Sequence, residues 1–175
     1  MAVLVTGAAG FIGAATSRAL LERGEEVVGI DNLNDYYDPA LKQARLASLA
    51  TRFDNRFRFE RVDFADTGQL RRATDAIDFD RIVHLGAQAG VRYSIENPGA
   101  YIQSNLVGHA NMLELARARR PRHMVYASSP LSMAGTRACR SASRIGSTIR
   151  CRSMRRPRRP TSCSAKAIRT STGCR

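Results

Sequence analysis

At 175 residues and a formal charge of +13, with 43% hydrophobic residues, the chain has the averages of one basic domain. It holds no apolar run of about twenty residues and opens directly on a strand rather than on a basic and then apolar leader. A soluble, cytoplasmic protein with no membrane partner is therefore expected. Cysteine spacings of 12, 12 and 11 contain no C-x-x-C pair, so neither a zinc site nor a disulfide framework is indicated, and no metal ligand is assigned.

Ala2-Val3-Leu4-Val5 reads as a short buried strand, followed by Thr6-Gly7-Ala8-Ala9-Gly10-Phe11-Ile12-Gly13, three glycines in the spacing G-x-x-G-x-x-G. Gly7 permits a tight turn, Gly10 lets backbone N–H groups approach a pyrophosphate, and Gly13 lets a helix pack close to a sheet. That helix, about Phe11 to Arg23, points its positive end at the phosphates. Val27 to Asp31 is a second strand ending in an acid, eighteen residues after Gly13. A carboxylate there can accept hydrogen bonds from adenosine ribose hydroxyls and disfavours an added 2′-phosphate, so the expected cofactor is NAD rather than NADP.

A polar loop, Asn32 to Pro39, leads to a helix from about Pro39 to Thr51, with Leu41, Ala44, Leu46 and Leu49 on its expected buried side. Arg56 to Asp63 alternates like a strand, and a short helix from about Thr67 to Ala76 follows, with Leu70, Ala73 and Ile77 as its apolar positions. Arg81 to Leu85 is a strand entering the small-residue turn Gly86 to Gly90. A long helix from about Pro98 to Arg119 precedes the fifth strand, His123 to Ala127, which ends at Ser128-Ser129. Alternating strands and helices predict an α/β fold, a Rossmann-type doubly wound parallel sheet over residues 1–129 that is incomplete.

Ligands of such sheets lie at the carboxyl ends of the strands. There the sequence places the glycine turn, Asp31, Asp63, Leu85 to Ala89, and Ser128-Ser129. Asp63 is open between a site role and a helix cap or turn. His84, inside a strand, is expected to be a satisfied core histidine rather than a base. Tyr36 and Tyr37 are open between site contact and lid packing.

These residues resemble the extended short-chain dehydrogenase/reductases, and among them the NAD-dependent UDP-sugar 4-epimerases. Asp31-Asn32-Leu33-Asn34-Asp35-Tyr36-Tyr37-Asp38 and His84-Leu85-Gly86-Ala87-Gln88-Ala89-Gly90-Val91-Arg92-Tyr93-Ser94 are similar to the UDP-glucuronate 4-epimerase branch. The resemblance runs over residues 1–129. It implies cofactor contacts at Gly7, Gly10, Phe11, Ile12 and Gly13, and at Asp31 and Asn32 near the ribose. It further implies Asp63 and Phe64 near the adenine, Leu85, Gly86, Ala87 and Ala89 along the cofactor, and Ser104 toward the nicotinamide. Ser129 matches the catalytic Ser or Thr. Arg92, placed in a loop, would meet a UDP-sugar substrate, a guanidinium suiting a carboxylate or diphosphate; a solvated surface arginine is the alternative. A homodimer is implied too, with its helices only partly represented. In the family's reaction a Tyr-x-x-x-Lys tyrosine takes the 4-hydroxyl proton, hydride passes between sugar C4 and NAD, and the keto sugar turns over before hydride returns.

The chain changes character at about Pro130. Residues 1–130 hold 16 Lys+Arg and 15 Asp+Glu, a net of +1, whereas residues 131–175 hold 12 Lys+Arg and no acid. All eleven Phe and Tyr precede residue 131, and Cys139, Cys151, Cys163 and Cys174 all follow it. Ordinary composition would omit acids from such a segment roughly once in several hundred cases. Met154 stands where the family's tyrosine belongs. Reading the last base of each codon with the first two of the next permits Val-Tyr-Gly across Leu131 to Ala134. The same shift permits Val-Asp-His-Pro-Val-Ser-Leu-Tyr-Ala-Ala-Thr-Lys-Lys-Ala across Gly146 to Pro160. That run contains Tyr-x-x-x-Lys, its tyrosine 25 positions beyond Ser129. A frameshift near Ser129 or Pro130 is therefore expected, with residues 130–175 a disordered basic tail and the chain truncated and inactive. The alternative is a non-enzymatic NAD-binding module whose basic arm, Arg155 to Pro160, grips nucleic acid; it lacks aromatics for base stacking and is disfavoured.

Overall fold

The computed structural model describes residues 1–128. Five parallel strands, β1 (Ala2–Thr6), β2 (Val27–Asp31), β3 (Phe57–Arg61), β4 (Phe79–His84) and β5 (His123–Tyr126), form one sheet in the order β3-β2-β1-β4-β5. The register sets Val3 opposite Val27 and Arg81, and Val27 opposite Phe57. Each strand meets the next through a helical crossover, so the sheet is doubly wound, as the alternation predicts. The expected frame change and basic tail fall on residues outside the described set, as does Ser129.

Central position explains composition. β1 and β2 are buried at all five positions each, which is why they read as unbroken apolar runs rather than as alternating ones. Alternate residues then feed two cores. Val3, Val5 and Val27 pack with Ala14, Leu21, Leu49 and Phe53 of α1 (Phe11–Glu22) and α2 (Pro39–Phe53). Leu4, Val28 and Ile30 pack on the other face with Leu70 of α3 (Thr67–Asp75) and Met112 and Leu115 of α6 (His109–Arg119). Leu21 and Met112 are fully buried, and truncating either to alanine costs about 2–5 kcal/mol.

Local chemistry sets the helix starts. Asp38 accepts a hydrogen bond from Ala40 N at 2.8 Å with Pro39 at the first helical position of α2. Asp66 accepts from Gln69 N at 2.9 Å while the Gln69 amide returns to Asp66 Oδ2 at 3.0 Å, a reciprocal cap on α3. The buried side of α2 differs from expectation: Leu41 and Ala44 are exposed, and Lys42 is buried in their place. The expected long helix is broken by geometry. It consists of α5 (Pro98–Ile102), a π turn (Gln103–Gly108) and α6. A further short helix, α4 (Val91–Glu96), occupies what the sequence suggests is a loop, so Arg92 sits on a helix. Gly90 at φ 101° and Asn97 bound that helix, which is too short to show a 3.6-residue pattern.

Among the described residues, no helix is long and apolar enough to cross a membrane, and no group of three or more His, Cys, Asp or Glu side chains could hold a metal ion.

Candidate functional site

The strand order reverses between β1 and β4, and the loops after these two strands flank a cleft at the carboxyl edge of the sheet. Gly7 turns there with φ 69°, a left-handed conformation in which a side chain is strained. A Cβ at Gly13 would overlap the Gly7 carbonyl, so α1 lies directly on the turn. Gly10 is the N-cap of α1, extended at φ −70° and ψ 170°, and no side chain caps the helix; its first turn carries no acid. The leading N–H groups of α1 therefore remain for an external acceptor, at the positive end of the helix. Phe11 and Ile12, 78% and 64% exposed, are outside the cleft lining.

Asp31, 7% exposed, closes β2 and lines the cleft beside the glycine turn. Its Oδ2 accepts from Ala9 N at 3.2 Å and its Oδ1 from Leu33 N at 2.9 Å, so the carboxylate is tied to the glycine turn and to its own loop. Asn32 lines the cleft, and its Nδ2 donates to Asp63 Oδ2 at 3.4 Å. Asp63 itself is a turn residue, its Oδ1 accepting from Ala65 N at 2.9 Å; it does not line the cleft, and Asp66 is the cap of α3. Phe64, Leu85, Gly86, Ala87, Ala89 and Ser104 do line it. Arg92 is exposed on α4 outside this lining.

Several members were missed by sequence reasoning. Lys42, 6% exposed, donates to Asn34 O at 2.9 Å and Asn34 Oδ1 at 2.7 Å, and its ammonium lies 3.7 Å from Asp31 Oδ1. Asn34 Nδ2 reaches Gln88 Oε1 at 3.4 Å, bridging the loops after β2 and β4. Asn105, in the π turn, accepts from Gln88 N at 2.8 Å and donates to Gln88 O at 2.9 Å, pairing with both backbone polar groups of that residue. A signal existed for Lys42, because residues 42, 46, 49 and 53 form one helical stripe on which a lysine interrupts Leu46, Leu49 and Phe53. Tyr36 and Tyr37 both line the cleft and also pack: their rings meet edge to face at 4.7 Å, and Tyr36 lies 4.8 Å from Tyr93. Desolvation and then the neighbouring Tyr37 raise the Tyr36 phenol above its ordinary pKa.

His84 is a core residue as expected. It is 5% exposed, its Nδ1 lies 2.7 Å from Thr6 Oγ1, and burial, with the His109 ring stacked 5.2 Å away, lowers its pKa to about 4. A neutral imidazole results. Burial also lowers the His109 pKa.

The GDP-mannose 4,6 dehydratase family model matches residues 4–139. UDP-glucuronate 4-epimerase 6 of Arabidopsis thaliana is 46% identical over 135 residues, covering 77% of this chain and 29% of its own length. A probable UDP-glucuronate 4-epimerase of Rhizobium meliloti is 46% identical over 129 residues, covering 74% and 37%. The chain thus spans roughly a third of the length of these curated relatives. Among solved structures, the UDP-glucuronic acid 4-epimerase of Bacillus cereus in complex with UDP-glucuronic acid and NAD superposes with a TM-score of 0.65 at 30% identity, over 79% of this chain and 43% of that one. The Thermus thermophilus UDP-glucose 4-epimerase complex with NAD gives 0.63 at 33% identity, over 80% and 43%. With its glycine turn, acidic second strand and reversal-point cleft in the same fold, the chain belongs to the GDP-mannose 4,6 dehydratase family of NAD-dependent epimerases and dehydratases.

Proposed function

We propose that residues 1–128 are the NAD-binding part of a UDP-sugar 4-epimerase of the UDP-glucuronate type. The observation that carries this reading is Asp31, a buried carboxylate held at the end of β2 by the glycine turn that leads into an uncapped helix N-terminus. That donor and acceptor set fits a dinucleotide: N–H groups for the pyrophosphate, and a carboxylate for two ribose hydroxyls that repels a 2′-phosphate. NAD supplies hydride acceptance and return at the sugar C4. The chain's own residues bind and orient it: the glycine turn and α1 at the pyrophosphate, Asp31 and Asn32 at the ribose, Ser104 and the loop after β4 farther along. Arg92, exposed and cationic, suits a uronate carboxylate or a diphosphate. Ser129 would hold the reacting hydroxyl. The curated relatives named as UDP-glucuronate 4-epimerases support the uronate over the glucose branch.

The proposal extends to residues 130–175, which are read as out of frame. The permitted Tyr-x-x-x-Lys supports this, as does the loss of every acid, Phe and Tyr after residue 130. Exposed Val91, Ile95, Ile102 and Leu106 accord with a chain lacking the in-frame segments that would cover them. The nucleic-acid-arm alternative rests wholly on residues outside the described set. Sequencing the gene across the codons for Tyr126 to Leu131 tests the frame: a gained or lost base restores the Tyr-x-x-x-Lys, and an intact frame refutes the shift. The purified 175-residue chain is expected to bind NAD weakly and not to epimerise UDP-glucuronate. Turnover above background overturns the inactivity, and absence of any NAD binding overturns the reading of the site.

A further inference from the structure

A line of close contacts crosses the cleft floor from α1 to α6, and nearly all of it is glycine. Gly13 abuts the Gly7 carbonyl, and a Cβ at Gly7 would stand 2.9 Å from both Cα and N of Gly86. A Cβ at Gly86 would in turn stand 2.5 Å from Cε1 of Phe64, and one at Gly108 would overlap the opposite edge of the same ring, at Cε2 and Cδ2. The Phe64 ring is thus seated between two backbone surfaces, one in the loop after β4 and one at the end of the π turn. Thr6 Oγ1 also stands 3.0 Å from a Cβ at Gly86, but the ring is the nearer contact.

The Gly86 loop and the backbone of Phe64 itself are fixed from behind. Thr6 Oγ1 accepts from Leu85 N at 3.1 Å and from Gly86 N at 2.9 Å, holding the loop after β4 to the end of β1. Asn111 Nδ2 donates to Phe64 O at 3.1 Å and Ala65 O at 3.0 Å, holding the turn after β3 to α6. The ring also packs against His84 in a T-shaped pair, centroids 5.3 Å apart. With its backbone pinned, Phe64 cannot slide to relieve a clash, and a smaller side chain leaves a gap that a close-packed interior does not refill.

We infer that Phe64 is a positioning residue, a spacer whose ring width sets how far the Gly86 backbone stands from the π turn and hence the width of the cofactor cleft. Residue volume at position 64 and the missing Cβ atoms at 86 and 108 form one steric unit. The inference rests on the proposed NAD site and adds a determinant of its shape that the resemblance does not assign.

The test is a double-mutant cycle on the full chain, reading NAD affinity by calorimetry and apo melting temperature on the same samples. Phe64→Leu is expected to weaken NAD about tenfold, and Gly86→Ala by at least as much. In the Phe64→Leu background, Gly86→Ala is expected to cost no more than about threefold, because the methyl enters space the ring has left. A second cycle with Gly108→Ala repeats the measurement should Gly86→Ala alone fail to fold. Equal costs of the glycine substitution in both backgrounds overturn the inference. So do variants that lower the melting temperature while leaving the affinity of the folded protein unchanged, since that outcome describes packing without positioning. Failure of the unmutated chain to bind NAD sinks instead the functional reading on which the spacer depends.

Discussion

Acidification should destabilise this domain through one buried ring. His84 is neutral in the fold because burial, and next the stacked His109, hold its pKa down to about 4, against an ordinary value near 6.5. Above pH 6.5 both folded and unfolded chains carry it neutral, and it contributes nothing to pH dependence. As pH falls below 6.5 the unfolded chain takes up the proton and the folded one does not, so the His84 contribution to stability declines until pH reaches about 4 and then levels. The interval corresponds to about 3 kcal/mol in full and to about 2 kcal/mol by pH 5. The facing groups are Thr6 on β1, His109 on α6 and Phe64 after β3, and of these only His109 titrates nearby. His84→Asn, whose amide can replace the Nδ1 contact to Thr6, is the matched control. Denaturant unfolding of both proteins at pH 7.5, 6 and 5 should show the difference between them shrinking by about 2 kcal/mol at pH 5, with the His109 contribution cancelling. Parallel pH profiles would refute the claim that His84 is held neutral.

Asp31→Asn keeps the shape but removes the charge, and the preference for NAD over NADP should fall about tenfold in competitive binding; an unchanged ratio denies Asp31 its selectivity role. Lys42→Met strips two hydrogen bonds from Asn34 and the nearest cation from Asp31, with an expected loss of about 1–3 kcal/mol in thermal or denaturant unfolding. Asn105→Ala frees both backbone polar groups of Gln88 and should cost about 1–3 kcal/mol, together with weaker NAD binding on calorimetry.

The strands and the glycine turn were legible in the sequence because they are governed by local rules. A buried parallel strand must be apolar throughout, as β1 and β2 are, and a sharp turn under a close-packed helix must be glycine, as at Gly7 and Gly13. What could not be read are features fixed by partners distant in the chain. Lys42 is drawn inward by Asn34 and Asp31 against the grain of its own charge. The helix of residues 98–119 is interrupted where Asn105 must reach Gln88 and Gly108 must admit Phe64. Arg92 turned out helical because Gly90 and Asn97 delimit a segment shorter than two turns. The residues singled out by resemblance divide accordingly. Those on strand ends, such as Asp31, Leu85 and Gly86, converge on the cleft, while Asp63 and Arg92 stand outside its lining.

The strand that begins the chain is also the middle of the sheet, paired with β2 on one side and β4 on the other. Trimming from the amino end would therefore cut the centre rather than fray a margin. Removing residues 1–6 would leave two separate ribbons, β2 with β3 and β4 with β5, with no hydrogen-bonded strand between them. For this domain, loss of its first six residues should be all-or-none, and a proteolytic nick near Thr6 more damaging than one anywhere in the loop at Asn34 to Asp38.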